Sequence, residues 1–269
     1  MNTKPSMTLR FLESREVFTL DEFMTAVDPG VSERTRETNL RNAVKREQAR
    51  RLARGLYASN VGAFRDKTPN VLLVASKAAP DSVLVYHTAL EAHGVAHTPA
   101  RTVYFLSAKT MTPFTVRGYR FRRVTAKAER LSPSVAGTYV TDVRAGDALV
   151  SATTRERTLV DCLARLDLAG GLEELLRSVG SFTTMTSAHV ACYSASLGSP
   201  TLVARAGWLL DLMSDDWLCD PAPLREMRRS LGRGTYWLQR RRPGVEYEFV
   251  SAWRLYVPVG LPYPDWLRG

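Results

Sequence analysis

A basic stretch between Val31 and Tyr57 constrains the folding of this chain more than any other part of its sequence. From residue 34 to residue 54 it contains eight Lys or Arg side chains and only two Glu side chains. If the stretch is helical, Leu40, Ala43 and Val44 fall on one side of the helix. The opposite side then carries a polar row at helical spacing, namely Arg34, Thr38, Arg41 and Lys45. The pattern predicts one face that packs against the protein and another that contacts phosphates.

The segments on either side of this stretch predict a compact module. Two short helical patterns precede it, at Met7–Ser14 and Thr19–Val27, and Thr19 with Glu22 has the spacing of a capping box. Asp28-Pro29-Gly30 ends the second helix, and Ser32 caps the basic one. Residues 49–52 and 56–59 then flank Ala53-Arg54-Gly55 as a short hairpin. This order of elements is typical of a winged helix-turn-helix.

The geometry of DNA grooves assigns roles within such a module. A helix fits the major groove, where side chains near its N-terminus reach base edges and flanking basic groups hold phosphates. We therefore predict DNA contacts on the basic helix from Ser32, Arg34, Thr35, Thr38, Arg41, Asn42 and Lys45, and on the wing from Arg51 and Arg54. The alternative is that some of these charges only solvate the surface, and it stays open for Arg46, Arg50 and Arg51.

The remaining chain reads as mixed α and β. A break at Gly62–Pro69 separates the module from a second domain, so we predict domains at residues 1–64 and 65–269. Helices are expected at 70–79, 87–94, 153–166 (with Thr153 as N-cap and Glu156 completing a capping box), 172–179, 187–196, 201–213 and 225–231. Strands are expected at 81–86, 102–106, 114–124, 236–239 and 249–257, and residues 142–152 are expected to continue the β-rich part of the chain. The predicted class is α+β: a winged helix-turn-helix followed by a larger mixed α/β domain whose second half is mostly helical.

Composition and charge favour a polyanionic partner. The chain of 269 residues has a net charge of +10 and a pI near 9.8. Neither a secretory leader nor a membrane-spanning run is recognisable, so we expect a cytoplasmic protein without a membrane partner. Cys162, Cys192 and Cys219 lack the spacing of a zinc site and are odd in number, which favours buried free thiols.

Two further basic clusters lie outside the module. Arg120, Arg122 and Arg123 occupy a strand-like segment in which alternation separates Arg120 and Arg122 from the aromatic residues Tyr119 and Phe121. The other cluster spans residues 225–242 and includes Arg228, Arg229 and Arg240. Each is predicted to be an accessory surface that extends the DNA contact. A surface for RNA or for an acidic partner, and a merely solvated face, are the alternatives.

Catalytic patterns are weak throughout the sequence. His87, His93 and His97 do not share one helical face and have no neighbouring carboxylate at a ligand-like spacing, so we expect no metal site. His87 is expected to cap or pack at a strand-to-helix junction, and Asp161 to pair with Arg157. The signatures of restriction-type nucleases, nucleotidyltransferases and P-loops are missing. We expect a protein that is not an enzyme and needs no cofactor.

Several motifs, taken in order, resemble the AbiEi family, the antitoxin half of bacterial AbiE-type (type IV) abortive-infection and toxin-antitoxin systems. They are the winged-helix pattern ending in Arg54-Gly55-Leu56-Tyr57, the segment Tyr86–Gly94, the segment Arg155–Leu163 followed by Gly170-Gly171, and Arg205–Leu210. One departure is a basic helix that runs long into the wing, which leaves the hairpin register open.

The resemblance implies a repressor of its own operon that binds inverted repeats in promoter DNA. It also implies an antitoxin that counters a nucleotidyltransferase-like toxin in phage defence, without requiring a stable complex with that toxin. One alternative is a stand-alone winged-helix regulator whose C-terminal domain senses a ligand or forms oligomers. Another is a DNA-processing enzyme.

Overall fold

The computed structural model describes residues 6–28, 30–125 and 139–261. These residues form ten α-helices and twelve β-strands, which confirms the predicted α+β class. The chain divides into two compact units, and the first comprises the described residues of Met1–Leu84, Arg101–Ala128 and Arg144–Ser151. The second comprises those of Val85–Ala100, Glu129–Val143 and Ala152–Gly269. These units differ from the predicted domains 1–64 and 65–269, since residues 65–84 belong with the N-terminal segment.

The first unit begins with three helices and a hairpin. The elements are α1 (Met7–Ser14), β1 (Val17–Thr19), α2 (Leu20–Ala26), α3 (Glu33–Lys45), β2 (Ala49–Ala53) and β3 (Leu56–Ser59), followed by a 3₁₀ turn (Gly62–Phe64) and α4 (Val71–Ser76). The strands form an antiparallel sheet in the order β1-β3-β2. Three aromatic rings from α1, β1 and α2, those of Phe11, Phe18 and Phe23, centre the core beneath α3.

Local capping sets where these helices begin. The Thr19 hydroxyl accepts from the Glu22 N–H at 3.1 Å while the Glu22 carboxylate accepts from the Thr19 N–H at 2.8 Å, so the predicted capping box is confirmed. Ser32 caps α3, as predicted. Helix α2 ends at Ala26 with Val27 as its C-cap. Pro29 of the predicted stop lies outside the described residues.

Polar contacts explain why the segment after the hairpin stays with the first unit. The Asn70 N–H donates to the Glu16 carboxylate at 2.7 Å, and the Lys77 ammonium pairs with Glu22. Partial burial raises the pKa of Glu22, but Lys77 and the Thr19 N–H outweigh that effect, so this pKa lies below its usual value. The contacts tie both ends of α4 to elements near the N-terminus.

A six-stranded mixed sheet follows α4 in the chain. Its strands are β4 (Val83–Leu84), β5 (Thr102–Ser107), β6 (Phe114–Val116), β7 (Tyr119–Thr125), β8 (Val140–Ala145) and β9 (Ala148–Thr153), in the order β6-β7-β5-β4-β9-β8. Strands β5 and β7 are parallel, whereas β6 and β7 are antiparallel. The single strand predicted over residues 114–124 is therefore wrong. The chain turns at Arg117-Gly118, where φ is +48° and +84°.

The second unit is mostly helical. It contains α5 (His87–Ala92), α6 (Arg155–Ala164), α7 (Leu172–Val179), α8 (Ser187–Ser196), α9 (Pro200–Leu212) and α10 (Pro221–Ser230). A small closing sheet has the order β10-β12-β11, with β10 (Tyr236–Trp237), β11 (Tyr247–Val250) and β12 (Leu255–Pro258). The strand predicted over residues 249–257 is wrong, because a 3₁₀ turn at Ser251–Trp253 interrupts it.

Two sequence expectations for the second unit need correction. The N-cap of α6 is Thr154, whose hydroxyl accepts from the Arg157 N–H at 3.4 Å, and not Thr153. The Thr153 hydroxyl is buried and lies 2.6 Å from the Thr158 hydroxyl, so it is engaged elsewhere. Among the cysteines, Cys162 is buried but Cys192 is exposed and Cys219 is partly exposed, so buried thiols are confirmed for Cys162 alone. Burial raises the pKa of the Cys162 thiol well above its usual value.

Within the described ranges, no helix has both the length and the apolar character that a membrane crossing requires.

Candidate nucleic-acid interface

Helix α3 has the two-sided character that its sequence predicts. Leu40 and Ala43 are buried, at 3% and 2% exposure, and pack onto the aromatic core of the first unit. The opposite side faces solvent and carries the exposed residues Arg34, Thr35, Thr38, Arg41, Asn42 and Lys45. The apolar side thus fixes the helix, and the polar side is available to a partner.

Hydrogen bonds divide the polar side into two kinds of group. The Ser32 and Thr35 hydroxyls lie 2.9 Å apart at the helix start, and the Thr38 hydroxyl donates to the Arg34 carbonyl at 2.8 Å. These hydroxyls are therefore occupied locally. By contrast, the side chains of Arg34, Arg41, Asn42 and Lys45 make no hydrogen bond to any residue that the structure describes.

Two arginines of the basic stretch are engaged by other parts of the protein. The Arg36 guanidinium donates to the Met24 carbonyl of α2 at 2.8 Å, and its Nε is buried without a partner in the described part of the chain. Arg50 pairs with Asp66 at 2.7 Å. The sequence pattern gave no sign of either role, because both partners lie on other elements. The six remaining cations are exposed: Arg34, Arg41, Lys45, Arg46, Arg51 and Arg54.

The hairpin presents its two candidate arginines beside a defined turn. Arg51 pairs with Tyr57 and Ala53 with Leu56 across the hairpin, with a bulge between Arg51 and Ala53. This pairing settles the register that the sequence left open. Gly55 forms the turn with φ +72°, a conformation that glycine adopts without strain. Arg51 and Arg54 are both exposed.

A cleft joins α3 to the hairpin. It has a volume of about 330 Å³, and its lining includes Arg41 and Glu37 from the helix with Arg51 and Tyr57 from the hairpin. The Tyr57 ring stacks on the buried Phe18 ring with centroids 5.7 Å apart, which anchors that wall of the cleft. Arg41 of α3 and Arg51 of the hairpin therefore line the same cleft in the first unit.

The first accessory cluster, like the basic stretch, contains both exposed arginines and one that bonds within the protein. On β7, Phe121 is buried while Arg120 and Arg122 are exposed, as the predicted alternation requires. Arg123 is partly buried and donates to the Ser107 carbonyl at 3.1 Å, which is a structural role. Strand β2 of the hairpin contacts β6, the neighbour of β7. Arg120 and Arg122 on β7 are therefore separated from the hairpin by one strand, β6.

The second accessory cluster also includes one structural residue. Arg228 pairs with Asp211 at 2.6 Å, and its guanidinium lies 4.7 Å from the Trp253 ring centroid. The Trp253 N–H donates to the same Asp211 at 3.0 Å. Arg229 and Arg240 are exposed. Of the three named residues, Arg229 and Arg240 are therefore available to a partner and Arg228 is not.

The histidines and carboxylates of the second unit form structural clusters. His87 Nε2 lies 3.2 Å from Glu174, and His87 Nδ1 lies 3.6 Å from Glu91. The expectation of no carboxylate beside the histidines is therefore wrong, because His87 contacts both Glu91, four residues later on the same helix, and Glu174, from a helix 87 residues away. Burial raises the pKa of Glu174, yet hydrogen bonds from Thr98 and Ser178 outweigh it and lower this pKa. Burial and the Glu174 charge raise the pKa of Glu91.

Asp161 takes the structural role that its sequence spacing predicts. Its carboxylate accepts from Arg157 at 3.2 Å and from the Tyr193 hydroxyl at 2.9 Å, and all three residues are buried. In the described ranges, no group of three or more His, Cys, Asp or Glu side chains is arranged to hold a metal ion.

A scan of protein-family models found no match to this chain, and no curated protein matched it.

Proposed function

We propose that this chain is a sequence-specific repressor that binds duplex DNA through a winged helix-turn-helix formed by α1–α3 and the β2-β3 hairpin. The observation that carries the proposal is the shared cleft at which exposed Arg41 of α3 and exposed Arg51 of the hairpin lie together. A recognition helix and a wing have to present their cations on one side to contact one duplex.

The chemistry of the two elements supports separate roles. Helix α3 offers Arg34, Arg41 and Asn42 as long or amide-bearing side chains without protein partners, and these are the types that read guanine and adenine edges. Lys45, Arg51 and Arg54 lie farther along the helix and on the hairpin, where phosphate contact is the simpler role. The Arg36–Met24 hydrogen bond fixes α3 against α2 and so sets the angle of the reading helix.

The proposal includes autoregulation and antitoxicity, which rest on the resemblance to AbiEi antitoxins. In this role the protein acts in the cytoplasm and represses its own promoter at inverted repeats. It also counters a nucleotidyltransferase-like toxin, without a stable complex with it. Arg120 and Arg122 extend the DNA contact beyond the hairpin, and the protein itself performs no catalysis.

Footprinting on the DNA upstream of its own gene tests repression. We expect a protected, inverted-repeat site, and we expect Arg34→Ala with Arg41→Ala to weaken binding and relax base preference, by about 1–3 kcal/mol for each bidentate base interaction that is removed. Lys109→Ala with Arg144→Ala removes the same charge from exposed positions outside α1–α3 and the hairpin, and serves as the control. Unchanged base discrimination in the α3 variant would refute the reading role.

Co-expression with the product of the adjacent gene tests antitoxicity. We expect the full chain to restore growth when that gene encodes a nucleotidyltransferase-like toxin. The α3 double variant should still restore growth while promoter repression is weakened, because the resemblance assigns antitoxicity to the C-terminal domain and not to α3. Persistent toxicity with the wild-type chain would contradict the antitoxin role. It would not affect the proposal of repression, which the footprinting experiment tests separately.

A further inference from the structure

Four aromatic side chains share one face of the closing sheet in the second unit. Trp237 on β10 and Phe249 on β11 each pair in register with Tyr256 on the central strand β12. Tyr247 lies two residues before Phe249 on the same strand and therefore on the same face. The Trp237 and Tyr256 rings are stacked at 4.5 Å, and the Phe249 and Tyr256 centroids lie 5.0 Å apart. The rings form a continuous row across all three strands.

The opposite face of this sheet supplies the hydrophobic core. Leu255 and Val257, the neighbours of Tyr256, are fully buried, as is Leu238 after β10. The aromatic row is not buried in this way, since Phe249 is 46% exposed and the other three rings are partly exposed. An exposed row of large rings is unusual for a surface that contacts only water. It is typical of a binding surface.

Three consecutive arginines border the aromatic row. Arg240, Arg241 and Arg242 are exposed, and no residue in the described part of the chain forms an ion pair with them. The Arg241 guanidinium lies 5.8 Å from the Trp237 ring centroid, and the backbone N–H of Arg242 donates to the Tyr247 hydroxyl at 3.0 Å. These contacts anchor a concentrated positive charge at the edge of the rings.

We infer that this aromatic–arginine surface binds single-stranded RNA. Unpaired bases stack on the exposed rings, and Arg240–Arg242 contact the phosphates between them. A duplex cannot use the rings, because its base faces are already stacked on one another. An acidic peptide would use the arginines but leave the rings without a partner. Unpaired stretches are the ordinary state of much RNA, whereas DNA is unpaired only transiently, so RNA is the occupant that fits both features.

Binding of a labelled 12-nucleotide oligouridine to the full chain, followed by fluorescence anisotropy, tests this inference. We expect Phe249→Ala to weaken binding about 5- to 150-fold, the effect of removing one stacked base. Phe249→Trp should retain binding, because a larger ring still stacks. Arg241→Gln should weaken binding and reduce its salt dependence. Arg225→Gln on α10, which removes one exposed charge outside the sheet, should change neither quantity.

Two further measurements show whether a variant has lost RNA binding alone or has also lost its fold or its duplex-DNA binding. The variants should melt at the temperature of the wild type and should bind promoter duplex DNA as it does, since α3 belongs to the other unit. A protein that fails to bind duplex DNA could therefore still bind RNA through the aromatic–arginine surface. Equally, a protein that fails to bind RNA could still bind duplex DNA through α3.

Four outcomes would overturn the inference. They are no saturable binding of oligouridine, an equal weakening in Arg225→Gln, and binding of oligothymidine in place of oligouridine. The fourth is a change in oligomeric state on Phe249→Ala, detected by light scattering, which would make this face an interface between copies of the chain.

Discussion

Arg36 and Arg41 lie on one helix and carry the same charge, yet we expect opposite consequences from replacing them. The Arg36 guanidinium donates at 2.8 Å to the Met24 carbonyl, one of the last carbonyls of α2, which a helix leaves without an internal partner. Arg41 is exposed and makes no side-chain hydrogen bond to the described residues. Arg36→Met keeps the apolar stem and removes only the donor, and Arg41→Met is the matched control.

The magnitude follows from the contacts of Arg36. A hydrogen bond from a charged donor contributes about 1.5–3 kcal/mol. The buried and unpartnered Nε offsets part of this, roughly 1 kcal/mol, because its desolvation is not compensated. We therefore expect Arg36→Met to lower the free energy of unfolding by about 0.5–2 kcal/mol, which corresponds to roughly 1–8 °C in Tm for a chain of this size. Arg41→Met should stay within about 0.5 kcal/mol of the wild type.

Thermal melting by circular dichroism, together with duplex-DNA binding well below the melting temperature, gives the readout. Arg36→Met should melt earlier, whereas Arg41→Met should bind DNA more weakly at an unchanged Tm. Equal melting temperatures for the two variants would refute the distinction between a structural and a functional arginine on α3.

Two other changes test the second unit. Gly207→Ala would place a Cβ well inside van der Waals distance of the fully buried Trp253 ring, so we expect a destabilisation of about 1–3 kcal/mol or more in a denaturant titration. Gly232→Ala, with no atom closer than 4.0 Å, should have little effect. The lowered pKa of Glu174 means that its contribution to stability is present above its unfolded pKa and is lost as pH falls through the folded value. Glu174→Gln should therefore be less stable than wild type at neutral pH and converge with it in acid; parallel pH profiles would contradict this assignment.

The features that the sequence predicted well are local ones. The capping box of Thr19 and Glu22 and the cap at Ser32 depend on residues three apart, so the pattern contains all the information required. The two sides of α3 follow from helical periodicity in the same way. The bounds of α8 at residues 187–196 also agree with the structure.

The features that the sequence missed depend on distant partners. Arg36 reads as one more cation until Met24, twelve residues earlier, is placed beside it. His87 has one carboxylate within its own helix, Glu91 four residues later, whereas its second partner Glu174 is brought to it only when α7 packs beside α5. Thr153 and Thr154 are equally good caps by residue type, and only the burial of Thr153 against Thr158 decides between them. The meeting of Arg41 and Arg51 at one cleft likewise needs the fold.

The dependence of duplex-DNA affinity on salt tests the central claim most directly. Each phosphate contact lowers the slope of log K against log salt by about 0.9, so replacing Lys45, Arg51 and Arg54 with Ala should make the slope shallower by about 2.7. Replacing Lys109, Arg144 and Arg165 with Ala removes equal charge from exposed positions outside α1–α3, the hairpin and the two accessory clusters, and should leave the slope near the wild-type value. Equal slopes for the wild type and the α3–hairpin variant would contradict the claim that this surface binds DNA.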